Sequence, residues 1–252
     1  ANLLSKYREE NELAFTWPLI KNCLEDCQAF ITGNGVEILP YHIPIRSFGS
    51  FANANQRILM SATTQDDSFF IKGLGFDINA IKNPLINTEQ KWSGEKMILI
   101  PSLIDDSLDR DLIVSTFAKP NTKLHFGRVA IVPSHRRSEQ YYVLGSTISG
   151  TKNIFTLISD LKAGNIEKTL VIINRYDGID LPDESCRLLI IDSMPYFNSL
   201  VDRYEEQCRV NSDIINIRLA QRIEQGLGRS VRGEKDYSVI LLIGADLVKF
   251  IR

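Results

Sequence analysis

The chain reads as an α/β protein built on a three-layer, mostly parallel sheet. Two observations predict this: short apolar runs without clean alternation recur along its 252 residues, and helical patterns lie between several of them. A run that is apolar on both sides belongs to a strand covered on both faces, as in parallel sheets. Helices between such strands supply the crossovers that parallel pairing requires.

Taken in order, the pattern predicts a helix over 10–31, stopped by Gly33-Asn34-Gly35, and then a stretch of little periodicity over 36–55. Strands are expected at 57–63, 96–100, 128–132, 169–173, 187–192 and 237–243. Helical spacing marks 138–144, 154–163, a long stretch over 200–227 with a break near Asn211, and 245–252. Residues 1–55 form an N-terminal segment and 56–252 the α/β domain. The chain opens on Ala1 and closes at Arg252 inside an expected helix, which predicts that it is part of a longer protein.

Composition narrows the classes. A net charge of −2 gives no global field for nucleic acid or membrane, so any polyanion site must be local. The four cysteines, Cys23, Cys27, Cys186 and Cys208, make no Cys-x-x-Cys pair and are joined by only three histidines, so no metal centre and no disulfide framework is expected. Cys23 and Cys27, four apart in the expected helix, read as buried free thiols. With no signal peptide and no apolar run near membrane-spanning length, the expectation is a soluble, cytoplasmic chain without a membrane partner.

Ligands of such sheets gather at the carboxyl ends of the strands. Polar strings sit there: Ser61-Ala62-Thr63 after the first expected strand, Pro133-Ser134-His135-Arg136-Arg137 after the third, and Asn174-Arg175-Tyr176-Asp177-Gly178-Ile179-Asp180 after the fourth. Near the C-terminus, Gln225-Gly226-Leu227-Gly228-Arg229-Ser230-Val231-Arg232 places two arginines three apart on one helix face. Arginine is always charged, and its planar fork of donors matches phosphate oxygens.

Three other strings fail on order. Gly145 to Lys152 nearly spells a P-loop, but Thr151 precedes Lys152 where lysine should follow glycine directly, and a helix rather than a strand precedes the string. Gly226-Leu227-Gly228 lacks the third glycine of a dinucleotide fingerprint, Val231 standing in its place. Asp177, Asp180, Asp183 and Glu184 have no following Asp/Glu-x-Lys, so a solvated acidic loop is preferred over a nuclease metal site.

In this order the strings resemble the second RecA-like motor lobe of superfamily-two helicases, most closely the XPD/DinG-like branch. Residues 57–63 look like motif III, 127–134 like motif IV, and Arg175 to Asp180 like motif V, with Asp177 where the branch has glutamate. Arg187 to Tyr196 resembles the strand and proline-tyrosine turn after motif V, and Gln225 to Arg232 looks like motif VI. The resemblance implies an ATP-dependent helicase. Arg229 and Arg232 would be arginine fingers stabilising charge on the transferred phosphoryl oxygens, with Gln225 sensing the nucleotide. Asp180 would link nucleotide to nucleic acid, and Gly178 would let the backbone approach closely. Ser134, His135, Arg136, Arg137 and Arg175 would grip single-stranded nucleic acid, as DNA, and Ser61, Ala62 and Thr63 would couple the lobes.

No Walker A string and no acidic magnesium box precede Ser61. ATP and Mg2+ would therefore be held mainly by a first RecA-like lobe, the expected partner, and this chain alone is expected to be inactive. The alternative is a non-motor scaffold or nucleic-acid-binding module of the same fold.

Overall fold

The computed structural model describes residues 5–6, 11–60, 68–86, 94–197, 199–208, 212–231 and 233–252. By its contacts the chain forms two compact units, 1–88 with 198–208, and 89–197 with 209–252.

In the first unit, β1 (Cys27–Thr32) and β2 (Gly35–Pro40) form an antiparallel hairpin with Thr32 opposite Gly35, which leaves Gly33-Asn34 as a two-residue loop. The helix expected over 10–31 is therefore replaced. Among the described residues, helical turns occur at Asn11–Ala14 and Trp17–Ile20 and a 3-10 turn at Leu24–Asp26, and strand formers on both sides of a tight turn take residues from Cys27 on. Cys27 begins β1, so the two cysteines share no helix, and the Cys27 thiol donates to the Cys23 carbonyl at 3.1 Å. Residues 57–60 are not a strand either: no described strand pairs with them, and Ile58 and Met60 are 82% and 89% exposed. An unpaired run has no ladder in which to satisfy its backbone groups.

The second unit is built on six strands: β3 (Glu95–Leu99), β4 (Arg128–Val132), β5 (Thr147–Ile148), β6 (Leu170–Ile173), β7 (Leu188–Asp192) and β8 (Tyr237–Ile243). Their order is β3-β8-β7-β4-β6-β5, and every pair is parallel. The helices are α1 (Arg110–Phe117), α2 (His135–Val143), α3 (Ile154–Lys162), α4 (Leu200–Cys208), α5 (Asp213–Leu227) and α6 (Ala245–Ile251). Of these, α4 belongs to the first unit, where Tyr204 meets Phe30 with ring centroids 5.3 Å apart.

The three layers follow from residue alternation. Val129 and Ile131, Leu189 and Ile191, and Ile240 and Leu242 pack with Ile154, Ile158 and Leu161 of α3, Ile223 of α5 and Leu247 of α6. Their neighbours Ala130 and Val132, Leu188 and Ile190, and Leu241 and Ile243 pack on the other face with Ile113 and Val114 of α1 and Tyr141 of α2. Side chains alternate across a strand, so an apolar run necessarily feeds two cores. The short β5 lies inside the P-loop-like string, where no strand was expected, and α1 is a further helix without a clear periodic signal.

Arg128, 1% exposed, fastens the amino edge. It donates from Nη1 to the carbonyls of Phe117 at 3.1 Å and Lys119 at 3.0 Å, and from Nη2 to Glu167 at 2.5 Å. It thereby serves the open carbonyls at the end of α1. Burial pulls its pKa down.

Beside it, Gly127 lets two backbones touch. Its N–H donates to the Glu184 carbonyl at 2.7 Å, and an added Cβ would lie 1.9 Å from the Ser185 carbonyl oxygen. Backbone cannot yield as a flexible side chain can, so Gly127→Ala should lower the unfolding free energy of this unit by about 1–3 kcal/mol or more, as overpacking does. Urea denaturation of the purified variant checks it.

Candidate functional site

β4 and β7 are neighbours whose onward connections leave toward opposite edges, β4 toward β5 and β7 toward β8. Such a switch point opens a crevice at the carboxyl ends of the strands. Its floor is a buried carboxylate, Asp192, the last residue of β7 and 0% exposed. Arg110 grips it with a planar fork, Nε to Oδ1 at 2.7 Å and Nη2 to Oδ2 at 2.8 Å. Tyr141 Oη donates to Oδ2 at 3.1 Å and Ser193 Oγ to Oδ1 at 2.8 Å. Arg110 also donates to Gln140 Oε1 at 2.6 Å, so one guanidinium binds α1, α2 and the end of β7 together. Burial works against the Arg110 charge, but its hydrogen bonds and attraction to Asp192 prevail and raise its pKa. Burial and the Asp192 charge push the Tyr141 hydroxyl well above its ordinary range.

The end of β4 leads into α2 through Ser134, whose extended backbone and hydroxyl cap the helix, accepting from the Arg137 N–H at 3.4 Å. His135, Arg136 and Arg137 follow, all exposed in the first turn. Positive side chains at the positive end of a helix dipole are unfavourable by roughly 0.3–1 kcal/mol each.

The end of β6 leads into the loop that resembles motif V. Asn174 and Gly178 take left-handed φ of 46° and 66°, which folds the loop back on itself. Tyr176, Ile179 and Leu181 are buried, while Asp177, Gly178 and Asp180 face outward. A Cβ on Gly178 would lie 3.6 Å from Arg175 Nη2, an ordinary contact, so this glycine is needed for its φ rather than for space. The Arg175 guanidinium lies over the Phe155 ring, 5.2 Å from its centroid. Burial raises the pKa of the Tyr176 hydroxyl.

The string after α5 meets this loop directly. Arg229 donates from Nε to the carbonyls of Tyr176 at 2.8 Å and Gln225 at 2.9 Å, and from Nη1 to the carbonyl of Ile179 at 3.2 Å. In return, the Leu181 N–H donates to the Arg229 carbonyl at 3.2 Å. Gly226 permits the approach: a Cβ there would lie 3.0 Å from Tyr176 Cδ1 and 3.3 Å from Ile191 Cδ1. Two strings some fifty positions apart in sequence thus form one assembly at the sheet edge.

Of the residues expected to be functional, Ser134, His135, Arg136, Arg137, Arg175, Gly178, Asp180, Gln225 and Arg229 all lie in the second unit. Arg232, Ser61, Ala62 and Thr63 lie outside the described residues. The sequence pattern did not single out Arg110, Tyr141 and Asp192 as a network, because the Arg110–Asp192 pair spans 82 positions and Asp192 looks like the polar end of an apolar run. Among the described residues no group of three or more His, Cys, Asp or Glu could hold a metal ion, and no helix is long and apolar enough to cross a membrane.

A six-stranded parallel sheet with helices on both faces and an arginine-bearing carboxyl edge defines the RecA-like class. Within it, residues 132–248 match the family described as "Helicase C-terminal domain". An XPD helicase structure shares the fold at 17% identity with a TM-score of 0.54, the match covering 90% of this chain and 45% of that one. The chain thus spans about half the length of that helicase. Xpd4 of S. tokodaii aligns at 14% identity and a TM-score of 0.41, over 100% of this chain and 66% of its own. No curated protein sequence matches the chain.

The Asp192 network supports one test. Arg110→Met leaves a buried carboxylate without its cation, which typically costs about 3–5 kcal/mol. The unfolding free energy should fall by that order in chemical denaturation, and combining the change with Asp192→Asn should recover part of the loss.

Proposed function

We propose that the second unit is the C-terminal motor lobe of an ATP-dependent helicase or translocase acting on single-stranded nucleic acid, taken to be DNA. The observation that carries the reading is the junction of the Arg175–Asp180 loop with the Gln225–Arg229 turn at the carboxyl edge, within a segment matching a helicase C-terminal domain. A motor lobe needs a phosphate-facing arginine and a strand-facing loop that move as one body, and a shared hydrogen-bond network supplies that rigidity.

In this reading ATP and Mg2+ sit mainly on a first RecA-like lobe. Arg232 supplies charge to the transferred phosphoryl oxygens. Arg229, with Nε and Nη1 given to carbonyls of the loop and of Gln225, ties any contact it makes with the phosphate to the loop. Gln225 lies one turn upstream to sense the nucleotide, and Asp180 connects it to the strand. Ser61, Ala62 and Thr63 couple the lobes. Ser134, His135, Arg136, Arg137 and Arg175 hold the strand's phosphates. The lobe is then part of a cytoplasmic enzyme with ATP hydrolase activity, whose partners are its first lobe and the nucleic acid.

The engagement of Arg229 in loop carbonyls also favours a second reading, a scaffold of the same fold in which that arginine only holds the loop. The two separate on Arg232. In protein containing the first lobe, Arg232→Ala should lower ATP turnover by about 10³–10⁵-fold, the usual contribution of an arginine finger, while nucleotide binding stays near wild type. Unchanged turnover would leave the scaffold reading. The purified 252-residue chain should show no appreciable ATP turnover in a phosphate-release assay.

A further inference from the structure

The exposed Phe155 is unexplained by the fold. It is the second residue of α3, 60% exposed, on the helix whose core positions Ile154, Ile158 and Leu161 are buried. What lies beside it is cationic: the Arg175 guanidinium sits 5.2 Å from its ring centroid, and Lys152 is exposed in the turn before the helix. That turn is fixed by the Gly150 N–H donating to Asn153 Oδ1 at 2.6 Å. A π-face with a guanidinium over it and further cations alongside is the combination that binds unpaired bases on a charged backbone.

Sheet order gives the surface its length. The strands run β4-β6-β5, so the turn before α3, the Arg175 loop and the start of α2 lie in sequence along one edge. Two strand intervals span about 10 Å, close to three stacked nucleotides at roughly 3.4 Å each. Phe155 and Lys152 lie at one end, Arg175 in the middle, and His135, Arg136 and Arg137 at the other. Asp177 and Asp180 are the exposed acids on the middle loop.

We propose that Phe155 is a base-stacking platform at the β5 end of a single-stranded nucleic-acid track, with Arg175 holding the ring and Lys152 facing the adjoining phosphate. The proposal rests on the nucleic-acid part of the function above and deepens it. It assigns recognition of a base, not only of phosphates, to this lobe. Stacking tolerates any base and either sugar, so the track binds DNA and RNA strands alike at this point.

The test is titration of the whole chain with fluorescently labelled 12-mers, oligo-dT, oligo-rU and a fully abasic strand, over a range of salt. Phe155→Ala should weaken binding to both base-bearing strands by roughly 5- to 150-fold, as loss of one stacked base does, and leave the abasic strand unaffected. The slope of log affinity against log salt should stay as in wild type for Phe155→Ala, and should shrink by about 0.7 for Lys152→Ala. Phe155→Trp should keep affinity and add indole fluorescence that oligo-dT quenches and the abasic strand does not. Equal binding by wild type and Phe155→Ala, or equal loss on the abasic strand, overturns the stacking platform while the wider track stands. Failure of the wild-type chain to bind any strand overturns the nucleic-acid reading itself.

Discussion

The carboxyl edge depends on one guanidinium. The loop from Tyr176 to Leu181 makes no helix and no strand, yet three of its side chains are buried, so its backbone carbonyls need donors where water is scarce. Arg229 supplies them, bonding Tyr176 and Ile179 while also serving the open Gln225 carbonyl at the end of α5. Each hydrogen bond to a charged group contributes about 1.5–3 kcal/mol. A neutral side chain in that place could not serve three carbonyls on two segments at once. Lysine could reach carbonyls too, but its compact ammonium lacks the fork that holds two of them in a fixed plane.

Behind that edge, the half-buried Arg110 and the fully buried Arg128 stabilise the frame in opposite ways. Arg110 is matched to a carboxylate and fixes the crevice floor, where α1, α2 and β7 converge. Arg128 at the other edge is matched only to carbonyls, chiefly at the end of α1, and its pKa falls with burial. Both fasten α1, the helix that covers the same face as α2. The basic start of α2 is thus held in place from below, although its charges disfavour the helix dipole locally.

Most of the sheet was legible because its strands are continuous apolar runs bounded by polar ends. Residues 128–132 and 237–243 form strands with the expected bounds, and the stretch expected over 200–227 holds two helices, α4 ending at Cys208 and α5 starting at Asp213. Three features were not legible. The hairpin β1–β2 has helix-like spacing in its first half, and only the two-residue loop betrays it. Residues 57–60, the described part of the strand expected over 57–63, are apolar enough, but strand formation needs a neighbour, which no single segment reveals. The Asp192 network joins positions 110, 141 and 192, and no local pattern announces a contact across such distances. At the candidate site, the identity of the polar strings could be read, and so could their order. Their joining by Arg229 could not, because a hydrogen bond to backbone carbonyls leaves no complementary residue type in the sequence.

The central claim is that Arg229 holds the Tyr176–Leu181 loop to the end of α5. Amide hydrogen exchange of the chain carrying Arg229→Ala tests it most directly, since protection reports local opening free energy. The account predicts that amides of residues 177–181, Leu181 above all, exchange much faster than in wild type, while those of β4 and β7 keep their protection. Unchanged protection in the loop would contradict it, as would an equal loss throughout the sheet.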